Sequence, residues 1–260
     1  MNEPARPAAT VCLVRSAARG IEVLMVRRTP EARFMGGAWV FPGGAVDEAD
    51  DLDVAQRAVA GSSPGMLRWI AAAARELVEE TGIWLLESGA VVSVDRPSDD
   101  RVFSAVLERG ERFAGRSLQY FANWLTPELL PVRFDTRFFA AEVPAGLEPI
   151  VDALELVDAR WIYPRDAFEL ADTGEWEVAF PTRKILGFLA SFASASDLRD
   201  HIAGQSSVEP IQPRLAMVAG RVEILMPGDP GFDEAASAEP DPALLPTLER
   251  TVRSEPGTHP

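Results

Sequence analysis

The chain has 260 residues, with 40 Asp and Glu against 25 Lys and Arg, a formal net charge of −15. Such acidity repels a phosphate backbone, which argues against nucleic-acid binding and against docking on an anionic membrane. A small nucleotide is still compatible, because a divalent cation or a local arginine pair offsets the field. One cysteine, Cys12, and two histidines, His201 and His259, exclude a disulfide framework and a Cys/His metal cage. Residues 1–10 carry no apolar core of signal-peptide length, and no stretch approaches a membrane span, so a soluble cytoplasmic protein is expected.

In chain order, Val11–Arg15 and Glu22–Arg27 read as two strands joined by a turn at Gly20. Trp39-Val40-Phe41 leads into the breaker triplet Pro42-Gly43-Gly44, and five carboxylates then crowd residues 47–53. The segment Met66–Thr81 reads as a helix, with Ile70, Ala74, Leu77 and Thr81 as its inward stripe and Gly82 as its stop. Ser117–Trp124, Arg137–Val143 and Ala159–Ile162 read as strands, and Arg183–Ala193 as a helix. Leu215–Val218 and Val222–Met226 suggest a hairpin. From Gly228 the chain turns Pro-rich and acidic, with seven carboxylates against two arginines, which predicts a mobile tail. Strands interleaved with few helices, without regular βαβ spacing, indicate an α/β sandwich on a mixed sheet.

The chemistry concentrates on the helix. At about 100° per residue, Glu76, Glu79 and Glu80 share one edge, opposite the apolar stripe, and Arg75 stands i,i+4 to Glu79. A solvated charged face is the ordinary fate of such a run. Like charges at i,i+4 cost about 0.2–0.5 kcal/mol unless something neutralises them. Three carboxylates on one edge also make a hard-oxygen site for Mg²⁺ or Mn²⁺.

Phe41-Pro42-Gly43-Gly44, acidic residues, a gap, then Arg75-Glu76-Leu77-Val78-Glu79-Glu80-Thr81-Gly82-Ile83 resembles the Nudix box. That family's pattern is a glycine, a loop acidic residue, then R-E-U-x-E-E-x-G-U, with U aliphatic. The second half is intact, whereas the first half carries an insertion at about residues 51–67, and Asp50 takes the place of the loop glutamate. The resemblance implies an α/β/α sandwich and a diphosphate hydrolase. Metal would be held by Glu76, Glu79, Glu80 and the Gly44 carbonyl, with Arg75 fixing Glu79 in a ligating rotamer. Gly43 lets the backbone approach the metal and substrate.

Upstream, Arg28, Arg33, Gly37 and the Phe41–Gly44 tetrad resemble the signature of coenzyme A diphosphatases within the Nudix family, although Met25, Val26 and Thr29 depart from it. Arg28 and Arg33 would hold phosphates as bidentate donors, or else merely solvate a loop. Phe134–Phe139, Trp161 with Pro164, Phe192–Leu198 and Leu225–Asp229 resemble the peroxisomal branch and its bacterial relatives, which also carry an insertion in the box. The C-terminus Gly257–Pro260 is no peroxisomal signal. The implied substrate is coenzyme A or an acyl-CoA, and family members often dimerise.

Many Nudix enzymes use one more carboxylate from beyond the box. Glu155 stands where it is often placed, with Glu142 and Glu148 as rivals. Trp39, Tyr120, Phe121 and Trp124 are core residues or stack on adenine or pantetheine. His201 has no motif around it. Rival readings are the same chemistry on ADP-ribose, NADH or a dinucleoside polyphosphate, and a non-catalytic nucleotide-binding domain of Nudix type. The latter is expected to lose box glutamates, and all three are present. Pro97 is out of register for an ADP-ribose enzyme. The expected organisation is a Nudix hydrolase domain over residues 1–204, a hairpin extension over 205–228 and an acidic tail over 229–260.

Overall fold

The structure, a computed structural model, describes residues 4–32, 35–62, 64–92, 97, 101–130, 132–151, 153–218 and 221–237. Arg33, the 219–220 turn of the C-terminal hairpin and residues 238–260 of the expected tail lie outside the described residues.

The first two strands, β1 (Arg6–Ala17) and β2 (Gly20–Arg28), form the expected antiparallel hairpin. The strands β3 (Trp39–Val40) and β4 (Gly43–Ala45) pair with β2 and β1 respectively. Later come β9 (Gln119–Leu125), β10 (Phe134–Glu142), β11 (Leu156–Ile162) and β12 (Pro210–Ile211). They complete a sheet of order β11-β2-β1-β10-β9-β12, with β3 and β4 off this path. The β1/β10 and β12/β9 pairs are parallel and the rest antiparallel, so the sheet is mixed.

Alternation in the central strands feeds two cores. Ala9, Val11, Leu13, Leu24, Phe139 and Ala141 face one side, packed with the helix α2 (Leu67–Thr81). Cys12, Val14, Val23, Met25, Phe138 and Ala140 face the other. There they meet the helices α4 (Pro164–Asp172), α5 (Phe180–Leu189) and α6 (Ala195–Ala203). Burial on both faces is why Val11–Val14 reads as an unbroken apolar run rather than an alternating one.

The helix α2 is itself enclosed. Its outer side meets α1 (Asp53–Ala58), α3 (Val102–Glu108) and a four-stranded sheet of order β5-β8-β6-β7. Those strands are β5 (Val59–Ala60), β6 (Ile83–Leu86), β7 (Gly89–Val92) and β8 (Phe113–Ala114). The box insertion supplies α1 and β5. Four consecutive alanines, Ala71–Ala74, let both layers approach the axis, and all four are buried. Gly82 ends the helix at φ +68°, its N–H bonded to the Val78 carbonyl.

Three expectations shift. The helix expected over Arg183–Ala193 runs from Phe180 to Leu189, because Pro181 is compatible with a first helical turn. The short helices α3, α4 and α6 go unread in the sequence. Residues 229–237 also depart from the mobile tail expected there: Arg214 donates to the Phe232 carbonyl at 2.6 Å and lies over its ring. The hairpin itself is present as β13 (Arg214–Val218) and β14 (Arg221–Leu225). No helix among the described residues is long and apolar enough to cross a membrane.

Candidate active site

The site forms where β4 crosses above α2. Gly43 has φ +149°, and a Cβ there would meet the Ala9 carbonyl and lie 2.6 Å from Thr10 Cα. A Cβ on Gly44 would fall on the Glu76 carboxyl, 2.6 Å from its Cδ. Both glycines are therefore required by close approach, one to β1 and one to the helix. The Gly43 N–H donates to Glu80 Oε2 at 2.8 Å, tying turn to helix.

Arg75 organises the rest. Its Nε and Nη2 form a fork on Asp50 Oδ1 and Oδ2 at 2.9 and 3.0 Å. Its Nη1 donates to Glu76 Oε1 and Glu79 Oε2, each at 2.9 Å, and Nη2 also reaches the Ala45 carbonyl at 3.1 Å. Asp50, inside the acidic stretch of residues 47–53, is fully buried. Asp47 caps the turn that carries it, and the Asp47 N–H donates to Asp50 Oδ2 at 2.7 Å. Burial works against the Arg75 charge, but Asp50, Glu76 and Glu79 outweigh it and hold the guanidinium pKa above its ordinary value.

The two carboxyls beneath the turn titrate high. Burial raises Glu76, which Arg75 only partly offsets. Burial raises Glu80 further, with the Glu76 charge adding to it and the Gly43 N–H and Arg28 opposing. Glu155 raises both, so its carboxylate faces this site although it is exposed. Its carbonyl accepts from the Thr29 N–H at 2.8 Å, which fastens the β11 loop to the end of β2. The rival carboxylates are engaged elsewhere: Glu142 with Arg199 at 3.0 Å and Glu148 with Arg15 at 3.3 Å.

Arg28 stands beside Glu80 with a buried Nε that has no hydrogen-bond partner among the described residues. Gly37 bends the neighbouring loop at φ +80°, and its carbonyl accepts from Arg27 Nε at 3.3 Å. Of the aromatic candidates, Trp39 stacks on Trp176 at 3.9 Å, Phe121 on Phe188 at 5.4 Å, and Trp124 meets Phe180 edge-on. Those three belong to the core, and Tyr120 alone of the set is partly exposed. His201 lies against Phe188 and Phe192. A cavity of about 480 Å³ at the other end of β1, lined by Val14, Glu142 and Arg199 among others, does not reach the helix carboxylates.

Hard carboxylate oxygens at a glycine turn fit Mg²⁺ or Mn²⁺ in donor chemistry, and a cation would relieve the like charge that Glu76 and Glu80 share. Among the described residues, however, no three acidic, His or Cys side chains gather around one point. Arg75 and the Gly43 N–H hold the carboxylates instead, so a bound cation would compete with these bonds. The Ala45 carbonyl is a partner of Arg75 that no sequence signal marks.

An α/β/α sandwich with a carboxylate helix buried under a double-glycine turn defines a class of hydrolase. A Nudix hydrolase from Alicyclobacillus acidocaldarius matches with a TM-score of 0.67 and 30% identity, over 81% of this chain and all of that one. A putative Nudix hydrolase 7 from Caenorhabditis elegans is 29% identical over 68% of this chain, which spans 57% of that relative's length. The human acyl-coenzyme A diphosphatase NUDT19 is 26% identical, over 82% of this chain and 72% of its own. No protein-family model matches the chain. The chain belongs to the Nudix hydrolase family.

Proposed function

We propose that the protein hydrolyses the diphosphate of coenzyme A or an acyl-CoA, giving adenosine 3′,5′-bisphosphate and (acyl-)phosphopantetheine. The observation that carries this reading is the Arg75 network, which presents Glu76 and Glu79 beside a Glu80 clamped to the glycine turn, with Arg28 next to it. The human relative named for acyl-CoA supports the choice of substrate.

Glu76, Glu79, Glu80 and the Gly44 carbonyl would hold Mg²⁺ or Mn²⁺, which would supply neutralisation of the diphosphate charge. Arg75 positions Glu76 and Glu79 and touches no substrate. Glu155, exposed at the mouth, accepts the proton of the attacking water. The water oxygen bonds to one phosphorus as the bridging P–O bond breaks in line, and the departing phosphate keeps that electron pair. Arg28 holds a phosphate oxyanion through its Nε–H beside the Gly37 bend, and Arg33 is assigned the same role from the sequence.

Turnover of coenzyme A, ADP-ribose, NADH and diadenosine tetraphosphate, measured side by side with Mg²⁺ or Mn²⁺, tests the reading. Coenzyme A should be turned over best, and both Glu79→Gln and Glu80→Gln should lose activity while keeping the wild-type circular dichroism spectrum. Preference for another diphosphate overturns the substrate. No turnover on any of them, with nucleotide binding retained, overturns the enzyme reading.

A further inference from the structure

The register of the main sheet aligns Gly44, Ala9, Arg137 and Asn123 in one row across β4, β1, β10 and β9. At strand spacing, Arg137 lies about 10 Å from the catalytic glycine, and the row faces α2. Arg28, at the end of β2, stands on the opposite side of β1. The glycine turn thus lies between two arginines, of which only Arg28 has a role so far.

Arg137 is an unusual half-buried cation. Its guanidinium lies 3.4 Å over the Trp69 ring and 5.6 Å from that of Tyr120. The hydrogen-bond acceptor found for it is the Met66 thioether, at 2.8 Å, a weak one. Among the described residues no carboxylate lies within ion-pair distance of it. Four buried side-chain atoms here lack a hydrogen-bond partner among the described residues: Arg137 Nε, Trp69 Nε1, Asn123 Oδ1 and Asp135 Oδ1. Asn123 is only 6% exposed. Its side chain lies near Tyr120, and its Oδ1 is unmatched among the described residues. Buried donors and acceptors left unmatched cost about 1–3 kcal/mol each. Such a group calls for a partner from outside the chain.

Two of the four atoms are donors and two are acceptors, which specifies the partner's chemistry. A phosphate offers acceptors only, and the charges of Asp135 and Glu209, which bear on neighbouring Tyr120, would repel it. An amide offers a C=O to Arg137 or Trp69 and an N–H to Asn123 or Asp135. Trp69, Tyr120, Asp135 and Arg137 are all partly exposed, so the row opens to solvent at its rim. We propose that Arg137, Asn123, Asp135 and Trp69 form the subsite for the amide-bearing arm of the substrate. This rests on the coenzyme A reading, whose pantetheine arm is a chain of amides. The nucleotide then lies on the β2 side of the glycine turn and the arm on the β10 side. Met66, the second-to-last residue of the box insertion, lines the subsite, which gives that insertion a part in substrate selection.

The test uses the full chain with Arg137→Ala and Asp135→Asn, each checked for native circular dichroism. Loss of a hydrogen bond to a charged group predicts a KM for coenzyme A raised about tenfold or more, with a smaller change in kcat. Unchanged KM in both variants overturns the subsite and leaves the substrate reading intact. If wild-type enzyme turns over other diphosphates but not coenzyme A, that reading falls. The subsite is then decided by calorimetric titration with phosphopantetheine alone. Binding that Arg137→Ala weakens about tenfold supports it, and absence of binding to wild type overturns it. Should Arg137→Ala fail to fold, Asp135→Asn carries the same measurements.

Discussion

Arg75 uses all five of its N–H groups in five bonds to three carboxylates and one carbonyl. Only a planar fork can reach Asp50 with two donors while turning a third nitrogen toward Glu76 and Glu79. Asp50 is the anchor of this arrangement, being fully buried and bonded through both oxygens. Asp50→Asn should therefore cost stability out of proportion to its small change of shape. Breaking a buried ion pair costs about 3–5 kcal/mol, and the retained amide puts the expectation at the low end. Urea unfolding measures this, and an unshifted midpoint would show that Asp50 does not hold Arg75. Activity should fall by about 10–100-fold as well, since Glu76 and Glu79 lose their alignment. Arg28 calls for a different experiment, because its buried Nε has no hydrogen-bond partner among the described residues and its proposed partner is the substrate. Arg28→Ala should weaken turnover of coenzyme A more than that of dephospho-coenzyme A. Equal losses would remove the 3′-phosphate from its role.

At the scale of elements, the strand β1 shows how two-sided burial sets chemistry as well as packing. Cys12 sits at its centre, fully buried, and loss of solvent pushes its thiol pKa well up. An unfolded thiol ionises near pH 8.5 whereas the folded one stays neutral. The folded state thus holds one more proton above that pH. Its contribution to stability is complete below about pH 8.5 and declines as pH rises further. Native protein at pH 8.5 should resist iodoacetamide, and urea-unfolded protein should be alkylated at once; rapid labelling of the native chain would contradict the burial. The elements legible in the sequence were those with a strong period or a strong stop. The helix α2 combined an apolar stripe with Gly82, and β1 and β2 were apolar runs around a turn. The helices α3, α4 and α6 were not legible because they have only 7, 9 and 9 residues, too short for a period to stand out. The box glutamates and Arg75 were legible because they share one helix face. Asp50 was marked by its place in the motif, although its burial was not, since carboxylates are seldom buried unless paired and its partner Arg75 stands 25 residues away. The Arg137 row was beyond reach, because it exists only through the pairing of β4, β1, β10 and β9, in which Ala9 and its partner Arg137 are about 130 residues apart.

At the scale of the molecule, one sheet carries two cores, and the Gly43–Gly44 turn lies over only one of them. The core around α2 holds Leu77 and that around α5 holds Leu186, both fully buried. Two packing layers on opposite faces of one sheet should unfold together, because neither face of β1 or β10 can lose its cover without exposing a strand that the other layer needs. Leu77→Ala and Leu186→Ala should each destabilise by about 2–5 kcal/mol, the cost of a large truncation in a close-packed core. The sites share no partner, so the double variant should lose the sum to within about 0.5 kcal/mol. Urea titrations followed by far-UV circular dichroism and by tryptophan fluorescence should coincide for all four proteins. Fluorescence reports on both cores at once, with Trp84 in the α2 core and Trp39 and Trp176 in the other. A biphasic curve, or a Leu186→Ala variant whose two probes separate, would mean that the α5 layer melts independently of the sheet. The two variants should differ in activity, because Leu77 lies on the helix next to Glu76 whereas Leu186 is separated from it by the sheet. In stability they should be alike.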